Sequence, residues 1–183
     1  MTIKPGLELA AFSKTIRAQD DLFRHVNGEW MATTEIPADK SMYGSFHALA
    51  DASEEAVKQA VLAAPSVSYS TGPSGVALAK MFERWGIAGQ VQDKIVTPPP
   101  GTPVGSLVAK GEVALGFQQL SELIHVEGID IVGPLPSAIA IDTVFSGAVR
   151  EGSDRTADVR ALLDFLASPA TADAKRRQGM QPL

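Results

Sequence analysis

Ser68-Tyr69-Ser70-Thr71-Gly72-Pro73-Ser74-Gly75, followed by residues 76–85, is the stretch whose reading decides the fold. Val67 and Tyr69 make a short β-prone run that meets a turn of Ser, Thr, Gly and Pro. Pro73 suits a first helical turn, where its missing N–H would have had no intrahelical partner. Val76, Ala79 and Phe82, joined by Leu78, Met81 and Trp85, then recur at helical spacing and define a broad apolar face. A strand, a small-residue turn and a helix start aim free N–H groups, hydroxyls and the positive helix end at one point, which is an anion-binding geometry. The same composition also serves an ordinary strand-to-helix turn, and the motif alone leaves both readings open.

The chain has 183 residues, enough for one domain or two small ones with a real core. Its net charge of −5 and the lack of a basic, aromatic-interleaved stripe speak against a nucleic-acid partner. Lys175-Arg176-Arg177 reads as a solvated helix end. With no cysteine, disulfides, thiolate metal sites and a Cys nucleophile are excluded. Residues 1–12 lack the pattern of a secretion signal, and no run approaches the roughly 20 apolar residues of a membrane span. As written, the expected location is cytoplasmic.

Up to residue 64 the pattern is helical. Residues 1–15 read as a loose lead-in, and Asp20-Asp21 as the cap of a helix with Leu22, Phe23, Val26 and Trp30, Asn27-Gly28 being a candidate interruption. A second helix runs from Gly44, with Phe46, Leu49, Ala50, Val57 and Val61 inward. Gln19-Asp20-Asp21-Leu22-Phe23-Arg24-His25-Val26-Asn27-Gly28-Glu29-Trp30, then Thr34-Glu35-Ile36-Pro37-Ala38-Asp39 and Tyr43-Gly44-Ser45-Phe46, resemble the start of neprilysin-like zinc metallopeptidases. That resemblance covers residues 16–60 and implies an N-terminal wrap on a larger helical enzyme. The His-Glu-x-x-His helix of such an enzyme is not in this sequence. His25, His47 and His125 each lack a second His one turn away, so no metal and no cofactor is expected.

Composition shifts at Ala63-Ala64-Pro65, giving an expected division into an incomplete helical segment, 1–64, and an incomplete α/β lobe, 65–183. In the second part, 94–96, 113–117, 129–132 and the long run 139–149 are β-prone. Helices fit 104–110, a stretch capped by Asp154 or Thr156 that turns Val159, Leu162, Leu163 and Leu166 inward, and a last one from Ser168-Pro169. Strands alternating with helices indicate an α/β fold with a parallel or mixed sheet. Thr102 is a candidate N-cap, and the N–H groups near Val104, Gly105 and Ser106 offer a second anion-facing helix start. Gln118 and Gln119 end a buried strand, where their amides either reach a polar ligand or satisfy loop backbone groups.

Tyr69-Ser70-Thr71-Gly72-Pro73-Ser74-Gly75, Lys80-Met81-Phe82-Glu83-Arg84-Trp85-Gly86-Ile87, Lys110-Gly111-Glu112-Val113-Ala114-Leu115-Gly116-Phe117-Gln118-Gln119, Val132-Gly133-Pro134-Leu135-Pro136 and Phe165-Leu166-Ala167-Ser168-Pro169 occur in that order. The series resembles the C-terminal half of a molybdate-type periplasmic solute-binding protein of an ABC importer. The resemblance covers residues 66–183. It implies one lobe of a type II periplasmic-binding-protein fold plus its C-terminal return segment, here preceded by the helical extension, in a family that is periplasmic or extracellular. Carried over, Ser70, Thr71, Gly72, Ser74 and Gly75 are one helix-start contact, Gly101, Thr102 and Val104 the facing loop, and Gln118 and Gln119 contacts after the strand. Gln119 stands where molybdate binders carry a tyrosine hydroxyl, a departure that points away from molybdate itself.

The expected function is therefore an oxyanion-binding module without chemistry. Its partner would be a small anion or other small solute, held weakly because the first lobe of the family is not in this sequence. An uncovered lobe face would favour self-association. The alternatives are an N-terminal piece of a zinc endopeptidase, or two joined fragments with no common function.

Overall fold

Phe82 is the hub from which the core is built. The computed structural model describes residues 9–99 and 101–182. Its helices and strands in chain order are α1 (Leu22–Thr33), α2 (Ser45–Ala63), β1 (Val67–Tyr69), α3 (Pro73–Arg84), α4 (Ala88–Val91), α5 (Val104–Ala109), β2 (Leu115–Phe117), α6 (Leu120–Leu123), α7 (Thr156–Ala167) and α8 (Ala172–Arg177). Residues 1–8 of the expected lead-in and Pro100 of the proline loop lie outside the described residues. Packing divides the chain into two units, Met1–Leu49 and Ala50–Leu183.

In the first unit, α1 starts where expected: the Asp21 carboxylate accepts the N–H of Arg24 at 2.9 Å. Asn27-Gly28 does not interrupt the helix. A side chain at Gly28 would come within 2.6 Å of Ser13 Cβ, so the glycine is there to let the lead-in pack closely. His25 is part of that packing, with Nδ1 2.6 Å from the Ile16 carbonyl and its ring edge-on to Phe12. Among the described residues of this unit none is buried. Phe46 and Leu49, expected inward, are 85% and 64% exposed. The inward stripe of α2 begins only at Val57 and Val61, where there is a core to face.

The second unit holds that core. Val61, Val67, Leu78, Met81, Phe82, Ile87, Val91 and Ile139 form one buried cluster. Phe82 meets Tyr69 and Phe117 edge-on at 6.0 and 6.5 Å, and Trp85 at 6.1 Å. Val76, expected on the apolar face, is instead exposed, and the buried stripe of α3 is Leu78, Met81 and Phe82. The last turns of α2 are fastened by polar contacts too: Trp85 Nε1 donates to Glu54 Oε1 at 2.5 Å, and Lys94 Nζ donates to the Leu62 carbonyl at 2.5 Å. The expected junction at Ala63-Ala64-Pro65 thus sits inside a packed region, because Val61 and Val67 on either side of it belong to one cluster.

β1 and β2 pair in parallel, Val67 opposite Leu115, Ser68 opposite Gly116 and Tyr69 opposite Phe117. Val67 and Tyr69 face the Phe82 cluster, so Ser68 and Gly116 face the other way. There a side chain on Gly116 would lie 2.8 Å from Val104 Cγ1 and Val108 Cγ2, so α5 rests directly on the strand. Ser68 is fully buried and its hydroxyl has no partner.

The protein is α-rich with a small two-stranded parallel sheet, the coarse form of the expected α/β fold. Several expected strands are absent. Residues 94–96 contribute a single bridge, Val67 to Ile95, and 113–117 is trimmed to Leu115–Phe117. Residues 129–132 and 139–149 contain no strand. A strand is made by its ladder, and neither run pairs with β1 or β2. In α7, whose N-cap is Arg155 rather than Asp154 or Thr156, Leu162 and Leu166 are exposed and only Val159 and Leu163 are half-buried. No helix among the described residues is long and apolar enough to cross a membrane.

Candidate functional site

β1 delivers the chain to the turn at residues 70–72, and Pro73 opens α3. Gly72 is the N-cap and has no side chain to cap with, so the first turn is left unsatisfied from within. The N–H groups of Thr71, Ser74 and Gly75 have no acceptor among the described residues, while that of Val76 donates to the Gly72 carbonyl at 3.1 Å. Ser70 and Ser74 bring their hydroxyls together at 3.1 Å. One hydroxyl donates to the other, leaving the acceptor's own proton free for a ligand.

These groups line a cavity of about 270 Å³. Ser70, Thr71, Gly72 and Ser74 form one wall, Gly101, Thr102 and Val104 a second, and Gln118 and Gln119 a third. Ser74 and Val104 thus face the same space. Gly75 is the exception among the expected site residues. It is buried, and a side chain there would meet the Ser70 carbonyl carbon at 2.7 Å and its oxygen closer still. Its part is to let the turn close on α3, which holds Ser70 and Ser74 within reach of each other.

The second expected helix start differs more. α5 has six residues, and its N–H groups are largely spent: Gly105 donates to Gln118 Oε1 at 3.1 Å and Ser106 to the Pro103 carbonyl at 3.1 Å. Thr102 is not the N-cap; Pro103 is, with no side-chain cap. Gln118 therefore does what the backbone-satisfying alternative held, closing the start of α5. Gln119 donates through Nε2 to Thr143 Oγ1 at 3.3 Å, which ties the end of β2 to the 139–149 run.

Sequence reading missed Pro73, Pro98, Pro99 and Glu122 in the lining. Glu122 was findable: it is an acidic residue in the first turn of α6, one turn on from Gln119. The lining contains no Lys, Arg or His. Whatever binds here meets hydroxyls, amides and main-chain N–H groups, with one carboxylate beside them.

Residues 31–181 match the family described as bacterial extracellular solute-binding protein. The chain belongs to that family. The match runs across Ala63-Ala64-Pro65. A curated relative, an aconitate isomerase from a Pseudomonas species, is 43% identical over 130 residues, covering 70% of this chain and 49% of that protein. The chain spans about half the length of the relative. No solved structure matches it. The relative overturns one expectation: a solute-binding chain of this kind was read as having no chemistry, yet sequence this similar occurs in a protein named for an isomerase activity.

Proposed function

We propose that the cavity at the start of α3 receives a small carboxylate with several carboxyl groups, and that this chain supplies the neutral-donor side of a site in a solute-binding-family isomerase. The observation that carries this reading is the convergence of Ser70, Thr71, Ser74 and Thr102 on one cavity that also holds free N–H groups of a twelve-residue helix. Hydroxyls and helix-start N–H groups bind carboxylate oxygens without neutralising them, and the helix end favours negative charge. Gln118 Oε1 is engaged by Gly105 and one Gln119 Nε2 proton by Thr143, so the remaining amide N–H groups can join the hydroxyls and the main chain as donors to the ligand. The relative's name supports a carboxylate over a metal oxyanion.

Glu122 is the titratable side chain of the lining. An isomerisation that breaks one C–H bond of the bound acid and forms another would pass its proton through the Glu122 carboxylate, since the hydroxyls and amides of the lining are too weakly basic to take a proton from carbon. Thermal unfolding with aconitate, citrate, molybdate and inorganic phosphate tests the reading. Aconitate or citrate raises Tm, the stabilisation being about 2.7 kcal/mol at a concentration a hundredfold above Kd. Ser74→Ala weakens that rise, whereas Glu122→Gln keeps binding and loses isomerisation. A flat response to both tricarboxylates overturns the proposal.

A further inference from the structure

A second cavity, of about 360 Å³, lies further along α3, beside Ala77, Lys80, Met81 and Arg84, and shares no lining residue with the site above. Its floor is apolar: Ala77 and Met81 from α3, Ile139 and Ile141 from the extended run beyond α6. Its rim is cationic, with Lys80 and Arg84 one helical turn apart on the same face. Lys80 has no partner among the described residues. Arg84 is steadied by Glu54, at 3.5 Å, which also accepts from the Trp85 indole. That contact matches the guanidinium charge and leaves the Lys80 ammonium without a counter-charge among the described residues. Ala140 and Ile141 make no hydrogen bond to another described residue, so main-chain donors border the same space.

We infer that this groove is a second ligand site, for a carboxylate with a short apolar tail, distinct from the neutral-donor cavity at the start of α3. The floor rewards removal of methylenes from water, and the rim rewards one negative head group. A volume in this range suits a small organic acid. Neither half alone would select it: acetate lacks the tail, and inorganic phosphate lacks any apolar part.

The test titrates hexanoate, acetate and inorganic phosphate into the full chain and follows backbone amide resonances. Hexanoate shifts Ala77, Ala138 and Ala140, and binds at least about tenfold tighter than acetate because its added methylenes leave water. Lys80→Gln, at an exposed position, weakens hexanoate about fivefold through the lost charge-assisted contact. Ala140→Phe, also exposed, occludes the groove and removes hexanoate binding, while Ser74→Ala leaves it unchanged. Equal affinity for hexanoate and acetate, shifts confined to residues 70–74, or an unaltered affinity in Lys80→Gln would each overturn the inference. Failure of aconitate at the first cavity has no bearing on these outcomes.

Discussion

Residues 67–85 and residues 139–149 are both apolar and both carry strong local preferences, yet only the first became regular structure. In 67–85 most preferences found a partner, Val76 being the exception. Val67 and Tyr69 have β2 beside them, and Leu78, Met81 and Phe82 have the end of α2, Ile87 and Val91 to pack on. In 139–149 the partners run out after the first residues. Ile139 is buried and Ile141 touches the same cluster, Thr143 is tied to Gln119, and Gly147 lies against Leu163 of α7. Val144 and Phe145 between them are 69% and 67% exposed. The lesson is that propensity states what a segment accepts, and neighbours decide what it becomes.

Three substitutions sharpen this comparison. The largest effect is expected from Phe82→Ala, which opens a cavity among Tyr69, Trp85 and Phe117; about 3–5 kcal/mol should be lost, read from the urea midpoint. Gly75→Ala comes next. The new Cβ collides with the Ser70 carbonyl, a backbone group that cannot swing away, and a cost of about 1–3 kcal/mol is expected together with weaker ligand response as the turn is displaced. The smallest is Phe145→Ala, a change of the same chemistry as the first at a position that is 67% exposed. It should move stability by less than about 0.5 kcal/mol. Equal losses for Phe82→Ala and Phe145→Ala would erase the contrast between the two regions.

The candidate site was legible to the degree that it is local. Ser70, Thr71, Gly72, Pro73 and Ser74 are consecutive, so a turn followed by a helix fixes their mutual placement, and the structure finds them together. The facing wall was legible only as composition. Whether the N–H of Gly105 stays free or goes to Gln118 depends on how the start of α5 meets the end of β2, which spacing does not specify. Glu122 joins the lining for the same reason. Zinc and nucleophile motifs are not the only carriers of chemistry, and the likeness to a protein named for an isomerase activity corrects the expectation that this chain has none.

Sequence by itself settled the cap at Asp21, the strand-turn-helix of 67–85 and the helical start at Pro73, because each rests on contacts within a few residues. It also settled that these 183 residues contribute no thiol. Tertiary structure alone decided that α2 turns inward only past Leu49, that Gln118 closes α5, and that 139–149 joins no ladder. The physical reason is common to all three. Burial and pairing are properties of two segments at once, and a periodic apolar pattern names only one of them.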